Sequence, residues 1–466
     1  MKLQFLGANR QVTGSKHLLE VAGTRVLIDC GMYQERDFSD RNWEDPPIDP
    51  RGIDAVLLTH AHVDHCGMLP RLVNQGFKAP IYATPATCEL AEIILEDSAR
   101  IQEEDAAYKK KRHRKEGRKG KHPVVPLFTP DDLKQTLPRF KKAPYGKPQK
   151  INGDVSVAFH DAGHILGSAI VEVTATENGE RRRFVFSGDL GQNDKPILRD
   201  PVVFSEADYV ILESTYGNRD HNGSADVVGT LARIVRETID AGGNVVIPVF
   251  AVERAQELLY HLGRLIRNHD IPAVEVVLNS PMAVDVTNVF RAHRECFDEE
   301  AWEMINSGEP PFRFPGLRMV HSVEESKALH KEKQPKIIMA TSGMCTAGRI
   351  KHHLRHNISK PETTVLFVGY QARGTLGRRI LNGESEVRIH GQNIPVRARI
   401  ERIEGFSGHA DRTGLLGWLD GLKSPPRHLF LVHGEEQESL SLAETLHTGR
   451  GWNVTVPEYQ QKVVLE

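Results

Sequence analysis

The stretch Leu57-Leu58-Thr59-His60-Ala61-His62-Val63-Asp64-His65 decides how the rest of the chain is read. The apolar run from Ile53 to Leu58 reads as a buried strand. It ends by discharging His60, His62, Asp64 and His65 within a few positions. In extended backbone alternate side chains share one face, so His60 and His62 point the same way and can grip one ion. Asp64 and His65 follow in a predicted turn, which re-aims them at a second ion. Imidazole with carboxylate suits Zn²⁺, with Mn²⁺ and other first-row ions as alternatives. The bland alternative is a polar loop that happens to be His-rich. It is disfavoured because buried strands rarely discharge four ligands without a metal.

The remaining composition sets limits. A chain of 466 residues exceeds one ordinary core and points to two or three domains. Its 39% hydrophobic and 26% charged residues are those of a globular protein. The net charge of −2 excludes a global basic field, so any nucleic-acid site must be local. Cys30, Cys66, Cys88, Cys296 and Cys345 form no CxxC and no even framework, which predicts free thiols in a reducing, cytoplasmic setting. Cys66 beside His65 is a weak competitor as ligand. The N-terminus starts a strand directly, with no signal peptide expected, and no apolar run reaches membrane-spanning length.

Further candidates stand at strand ends. Asp29 closes a strand and can fix the tautomer of a ligating His or be an ordinary turn residue; position alone leaves these even. His164, in His160-Asp161-Ala162-Gly163-His164-Ile165-Leu166-Gly167, lies among small residues, and His160 is its structural neighbour. Asp189 follows the strand Arg183–Phe186, Glu213 follows Tyr209–Leu212, and His433 follows His428–Val432. A lone His in such a place is more often structural; only the constellation makes it a ligand. Thr87 to Tyr108 predicts a helix, running into the dense basic run Lys109 to Lys121. That run is either a phosphate-backbone contact or a solvated loop. Between Ala225 and Val368 helices alternate with strands, with Ser224 as a helix cap, which predicts a parallel sheet. Glu386 to Glu401 reads as a hairpin around Gly391.

The His60-x-His62-x-Asp64-His65 signature resembles the metallo-β-lactamase superfamily. With Glu213-Ser214-Thr215-Tyr216-Gly217, Phe406-Ser407-Gly408-His409 and Leu431-Val432-His433-Gly434-Glu435, the whole chain is similar to its β-CASP nuclease branch. The resemblance implies an α/β fold: an αββα sandwich over residues 1–207 and 396–466, with a β-CASP α/β domain inserted over 208–395. It implies two Zn²⁺, one held by His60, His62 and His164, the other by Asp64, His65 and His433, with Asp189 bridging. Asp29 would orient a ligand. His409 would protonate the leaving oxygen, oriented by Glu213, while Asp64 serves both metal and chemistry. Ser407, Gly408, Ser342, Gly343 and Gly374 would bind RNA phosphates through backbone N–H groups. His433, where DNA-processing members tend to carry Val, implies RNA. The expected activity is hydrolysis of single-stranded RNA by a hydroxide activated between two zinc ions, leaving 5′-phosphate and 3′-hydroxyl, in RNA processing or decay. An RNA-binding pseudo-nuclease and a small-molecule metallohydrolase are the alternatives, and a homodimer is left open. Glu253 departs from the Gly, and Asn279 from the Asp, that many relatives carry.

Overall fold

The computed structural model describes residues 1–117, 120–221 and 226–466. They form two compact units. The first comprises Met1–Lys195, Arg199–Asp220 and His409–Glu466; the second comprises Pro196–Leu198 and His221–Gly408.

Two seven-stranded sheets build the first unit. One runs in the spatial order Lys462–Val464, Lys2–Gly7, Lys16–Val21, Thr24–Ile28, Ala55–Leu57, Ile81–Ala83, Phe140–Lys142. The other runs Val454–Thr455, His428–Val432, Tyr209–Glu213, Glu180–Phe186, Ala169–Glu177, Val155–Asp161, Gln149–Lys150. Alternation along the strands explains the layering. Tyr209, Ile211, Phe430 and Val432 face the core shared with Phe5, Ile28 and Leu57. Val210, Leu212, Leu429 and Leu431 face the opposite way, onto Leu415, Trp418, Leu442 and Leu446 of the helices Arg412–Leu419 and Glu436–Arg450. The central strands are therefore apolar throughout, as strands covered on both faces must be.

The second unit holds a six-stranded, all-parallel sheet in the order Leu317–Met319, Glu275–Leu278, Lys336–Ala340, Val245–Pro248, Thr364–Phe367, Arg399–Arg402. A separate hairpin pairs Glu386–Ile389 with Gln392–Pro395. Glu253 sits at φ +64°, the left-handed region that favours glycine. Asn279 is buried, donating to Ser326 Oγ at 2.8 Å and accepting from Arg349 at 2.7 Å. Among the described residues no helix is long and apolar enough to cross a membrane.

Several expectations change. The borders at 207/208 and 395/396 move, because Tyr209–Glu213 pairs in parallel with His428–Val432 in the first unit. Arg399–Arg402 instead pairs with Thr364–Phe367 in the second. Asp64 and His65 lie in a short helix, Val63–Cys66, rather than a turn. The helix predicted from Thr87 starts at Pro85, capped by the Thr84 hydroxyl, and continues to Glu116, so the first half of the basic run is helical. Lys and Arg are good helix formers. Ser224 lies outside the described residues, and the helix Val227–Asp240 is capped by Asp226.

Candidate metal centre

The strand Ala55–Leu57 delivers its chain into the site, and an adjacent carboxylate fixes what it delivers. Asp29, at φ +60°, is held in the left-handed region, a strain of about 1–2 kcal/mol that its surroundings must offset. Its carboxylate accepts from Thr59 N at 2.8 Å and Thr59 Oγ1 at 2.9 Å. It also accepts from His65 Nδ1 at 2.7 Å. With its hydroxyl proton committed to Asp29, Thr59 Oγ1 accepts from His60 Nδ1 at 3.1 Å. Thr215 Oγ1 likewise donates to the His433 carbonyl and accepts from His433 Nδ1 at 3.1 Å. His60, His65 and His433 thus have Nδ1 tied down and Nε2 turned inward, the tautomer a ligand needs.

The inward atoms form two adjoining groups. His60 Nε2 and His164 Nε2 lie 3.1 and 3.2 Å from His62 Nδ1. Both lie 3.5 Å from Asp189 Oδ2. Four ligands about 2.05 Å from a tetrahedral zinc stand about 3.3 Å apart, so these spacings match the edges of a zinc polyhedron. Across the carboxylate, Asp189 Oδ1 lies 3.3 Å from His65 Nε2, and His433 Nε2 lies 3.5 Å from Asp64 Oδ2. His433 Nε2 is buried without a hydrogen-bond partner, and His65 Nε2 and Asp189 Oδ1 meet as an ion pair without good hydrogen-bond geometry. Orphaned buried donors and acceptors are costly, and a cation between them satisfies all three. The donor set therefore fits metal. Cys66 does not compete: its thiol faces the Ala61 carbonyl at 3.3 Å, and burial pushes its pKa well up.

Electrostatics favour the same reading. Burial holds the His60 and His62 pKa values below the usual range, leaving neutral imidazoles. Burial opposes charge on His65 too, but Asp189 and Asp29 outweigh it and hold the ring protonated well above the usual range. Burial likewise raises Asp64, yet His433 and His65 bring it down to about 2. An ion at His65 Nε2 must displace a proton. Adding zinc to ion-free protein near neutral pH should therefore release protons, read with an indicator dye in weak buffer, and affinity should rise with pH. A proton-silent titration would remove this assignment.

His409 stands beside the first group, its ring 4.5 Å from that of His164. Its Nδ1 donates to Glu213 at 3.0 and 3.2 Å. Glu213 is fully buried and also accepts from Leu190 N at 2.7 Å. Burial lowers the His409 pKa, but Glu213 outweighs it and lifts the pKa to about 9. Asp189, Glu213 and His409 are close enough to hold an ion themselves. Glu213 is already engaged by Leu190 N and by His409, so orienting the ring is the role its contacts describe.

The structure brings His60, His62, Asp64, His65, His164, Asp189, His433, Asp29, Glu213 and His409 together in the first unit. Ser342, Gly343, Gly374, Ser407 and Gly408 all belong to the second. The Ser342 hydroxyl accepts from Thr346 N and Ala347 N, closing its own turn. The Gly343 carbonyl accepts from Gln371. His160 pairs with Glu172 at 2.8 Å, a structural role. Thr59 and Thr215 carry no sequence signal beyond their places, next to His60 and inside the Glu213 motif. Gly31 allows the helix carrying Asp64 to approach: a Cβ there would lie 1.6 Å from the Asp64 carbonyl oxygen. Gly31→Ala should cost about 1–3 kcal/mol and lower metal retention, read by thermal melting with and without zinc.

Comparison with known proteins agrees with this geometry. Residues 17–235 match the model of the metallo-beta-lactamase superfamily, 255–380 that of the Beta-Casp domain, and 393–457 that of the Zn-dependent metallo-hydrolase RNA specificity domain. Ribonuclease TTHA0252 of Thermus thermophilus is 41% identical over 463 residues, covering 99% of this chain and 100% of the relative. Transcription termination factor FttA of Methanocaldococcus jannaschii is 34% identical over 456 residues, covering 96% of this chain and 69% of that protein. A crystal structure of a protein of unknown function from Enterococcus faecalis shares the fold, with a TM-score of 0.58 at 13% identity over 100% of this chain and 99% of that one. With its two-sheet sandwich, its inserted parallel-sheet lobe and its histidine–carboxylate metal centre, the chain belongs to the β-CASP family of metal-dependent nucleases within the metallo-β-lactamase superfamily.

Proposed function

We propose that the chain hydrolyses phosphodiester bonds of single-stranded RNA, leaving 5′-phosphate and 3′-hydroxyl ends, in RNA processing or decay. The observation that carries this is the pair of ligand groups sharing Asp189, with the His409–Glu213 pair at their edge. His60, His62 and His164 would hold one Zn²⁺, and Asp64, His65 and His433 a second, with Asp189 between them. Bound there, the two ions would lower the pKa of a water towards neutrality and neutralise the scissile phosphate. Asp29, Thr59 and Thr215 keep the ligating rings oriented. His409, protonated at neutral pH and anchored through Nδ1 to Glu213, would give a proton to the leaving 3′ oxygen. Ser407, Gly408, Ser342, Gly343 and Gly374 are assigned to neighbouring phosphates. The five buried free cysteines suit work in the reducing cytoplasm.

The test incubates end-labelled RNA, DNA and an ester substrate with the purified protein, with and without chelator. Chelator-sensitive cleavage of RNA with 5′-phosphate products is the expected result. Cleavage of the ester alone would make the protein a small-molecule hydrolase. RNA binding without cleavage would make it a scaffold.

A further inference from the structure

From the basic half of the helix Pro85–Glu116 and the segment folded against it, we infer a second RNA-docking site, separate from the metal centre and present in the first unit alone. The inference rests on RNA being the substrate. Residues 109–121 hold nine Lys and Arg against one Glu, a net of +8; the chain's total of −2 then leaves −10 elsewhere. The charge is thus concentrated, not a share of a general basic surface. Among the described residues Lys109, Lys110, Lys111, Arg112, Arg114 and Lys115 are exposed and make no ion pair, whereas Lys121 and His122 are engaged by Asp40. Structural cations usually sit in ion pairs; these six do not, although Asp105 shares a helix face with Lys109.

The helix is also hollowed on one side. Lys109, Arg112 and His113, spaced so that they share a face, line a cavity of about 420 Å³ with Trp43, Lys121 and His122. Trp43 and His122 stack there at 5.5 Å and 7°. Asp40 and Asp105 are the acids in the lining, and Asp40 is the one held by Lys121 and His122. One position before Lys109, the Tyr108 ring is 65% exposed, with no ring contact among the described residues. Unpaired cations that track phosphates, next to an open aromatic face on which a base can stack, are the two components of single-strand binding. An acidic protein surface would use the first and leave the second idle, so single-stranded RNA is the occupant the surface favours.

The site is tied to the chemistry by its own helix. Thr84 Oγ1 and Thr87 Oγ1 at the helix start both donate to the Gly167 carbonyl at 2.7 Å, in the loop that carries His164. Lys109 lies about 36 Å further along that helix from Pro85 at 1.5 Å per residue. A strand held there is held at a fixed reach from the loop that positions His164.

The experiment measures anisotropy of labelled single-stranded RNA on zinc-loaded full-length protein in a His409→Ala background, across a salt series. Lys109→Ala/Arg112→Ala should weaken binding roughly tenfold and flatten the salt slope by about 1.4, two phosphate contacts' worth. Tyr108→Ala should weaken it by about fivefold or more without changing the slope. RNA carrying 4-thiouridine should crosslink to residues 102–127 or to Trp43. Unchanged affinity and slope in the double variant, or crosslinks confined elsewhere, would overturn the site while leaving the nuclease reading intact. Displacement of RNA by polyglutamate as readily as by unlabelled RNA, with Tyr108→Ala silent, would reassign the surface to an acidic protein. Failure of the parent protein to bind RNA at all would remove both readings.

Discussion

Asp189→Ala should cost the centre at least one of two ions and lower RNA cleavage by roughly 10³-fold, the effect of losing about 4 kcal/mol of transition-state stabilisation. Its two oxygens are divided between the groups. Oδ2 stands 3.5 Å from His60 Nε2 and His164 Nε2, and Oδ1 stands 3.3 Å from His65 Nε2. Burial raises the carboxyl pKa, but His433, His65 and His60 outweigh it and keep the group ionised well below its usual range. Alanine leaves those imidazoles facing one another with no negative charge between them. Elemental analysis of dialysed, zinc-reconstituted protein should then find at most one ion per chain. Two ions retained would show that Asp189 does not bridge.

His409→Ala should cut turnover by about 10²–10⁴-fold with zinc content unchanged. Loss of zinc in that variant would instead make His409 a ligand. The pH profile separates acid catalysis from mere packing. The folded-state pKa of about 9 lies above the ordinary value of about 6.5. The protonated form, and the stability it contributes, is therefore fully present below about 6.5 and is lost as pH rises through about 9. Cations bound nearby disfavour the charged ring, so about 9 is the ceiling for the alkaline limb of turnover. Glu213→Gln removes the charge that raises this pKa. Its alkaline limb should move to lower pH; an unmoved limb would take the proton from another group.

How far the chain could be read in advance depended on how local each feature is. The strand before His60 and the alternation of His60 and His62 need only backbone geometry. Asp189 and His433 needed the motifs around them, since each is one polar residue at the end of an ordinary strand. Thr59 and Thr215 act through hydrogen bonds to Asp29 and to His433 Nδ1, contacts set by tertiary placement and not by spacing. The unit borders differ from the expected ones for a related reason. Tyr209–Glu213 is apolar and parallel-paired like the strands of the inserted lobe, and only its partner, His428–Val432, tells which sheet it joins. The basic run concealed a helix because charge density suggested solvent, while Lys and Arg extend helices readily.

The strand His428–Val432 lies between Tyr209–Glu213 and Val454–Thr455, and it ends at His433. The ligand group His60, His62, His164 and Asp189 is made before residue 190, but His409 and His433 leave the ribosome only after the whole intervening lobe. With the roles proposed for His409 and His433, a half-made chain would lack both its proton donor and its last imidazole. Under that reading, cleavage would wait until His433 has been made.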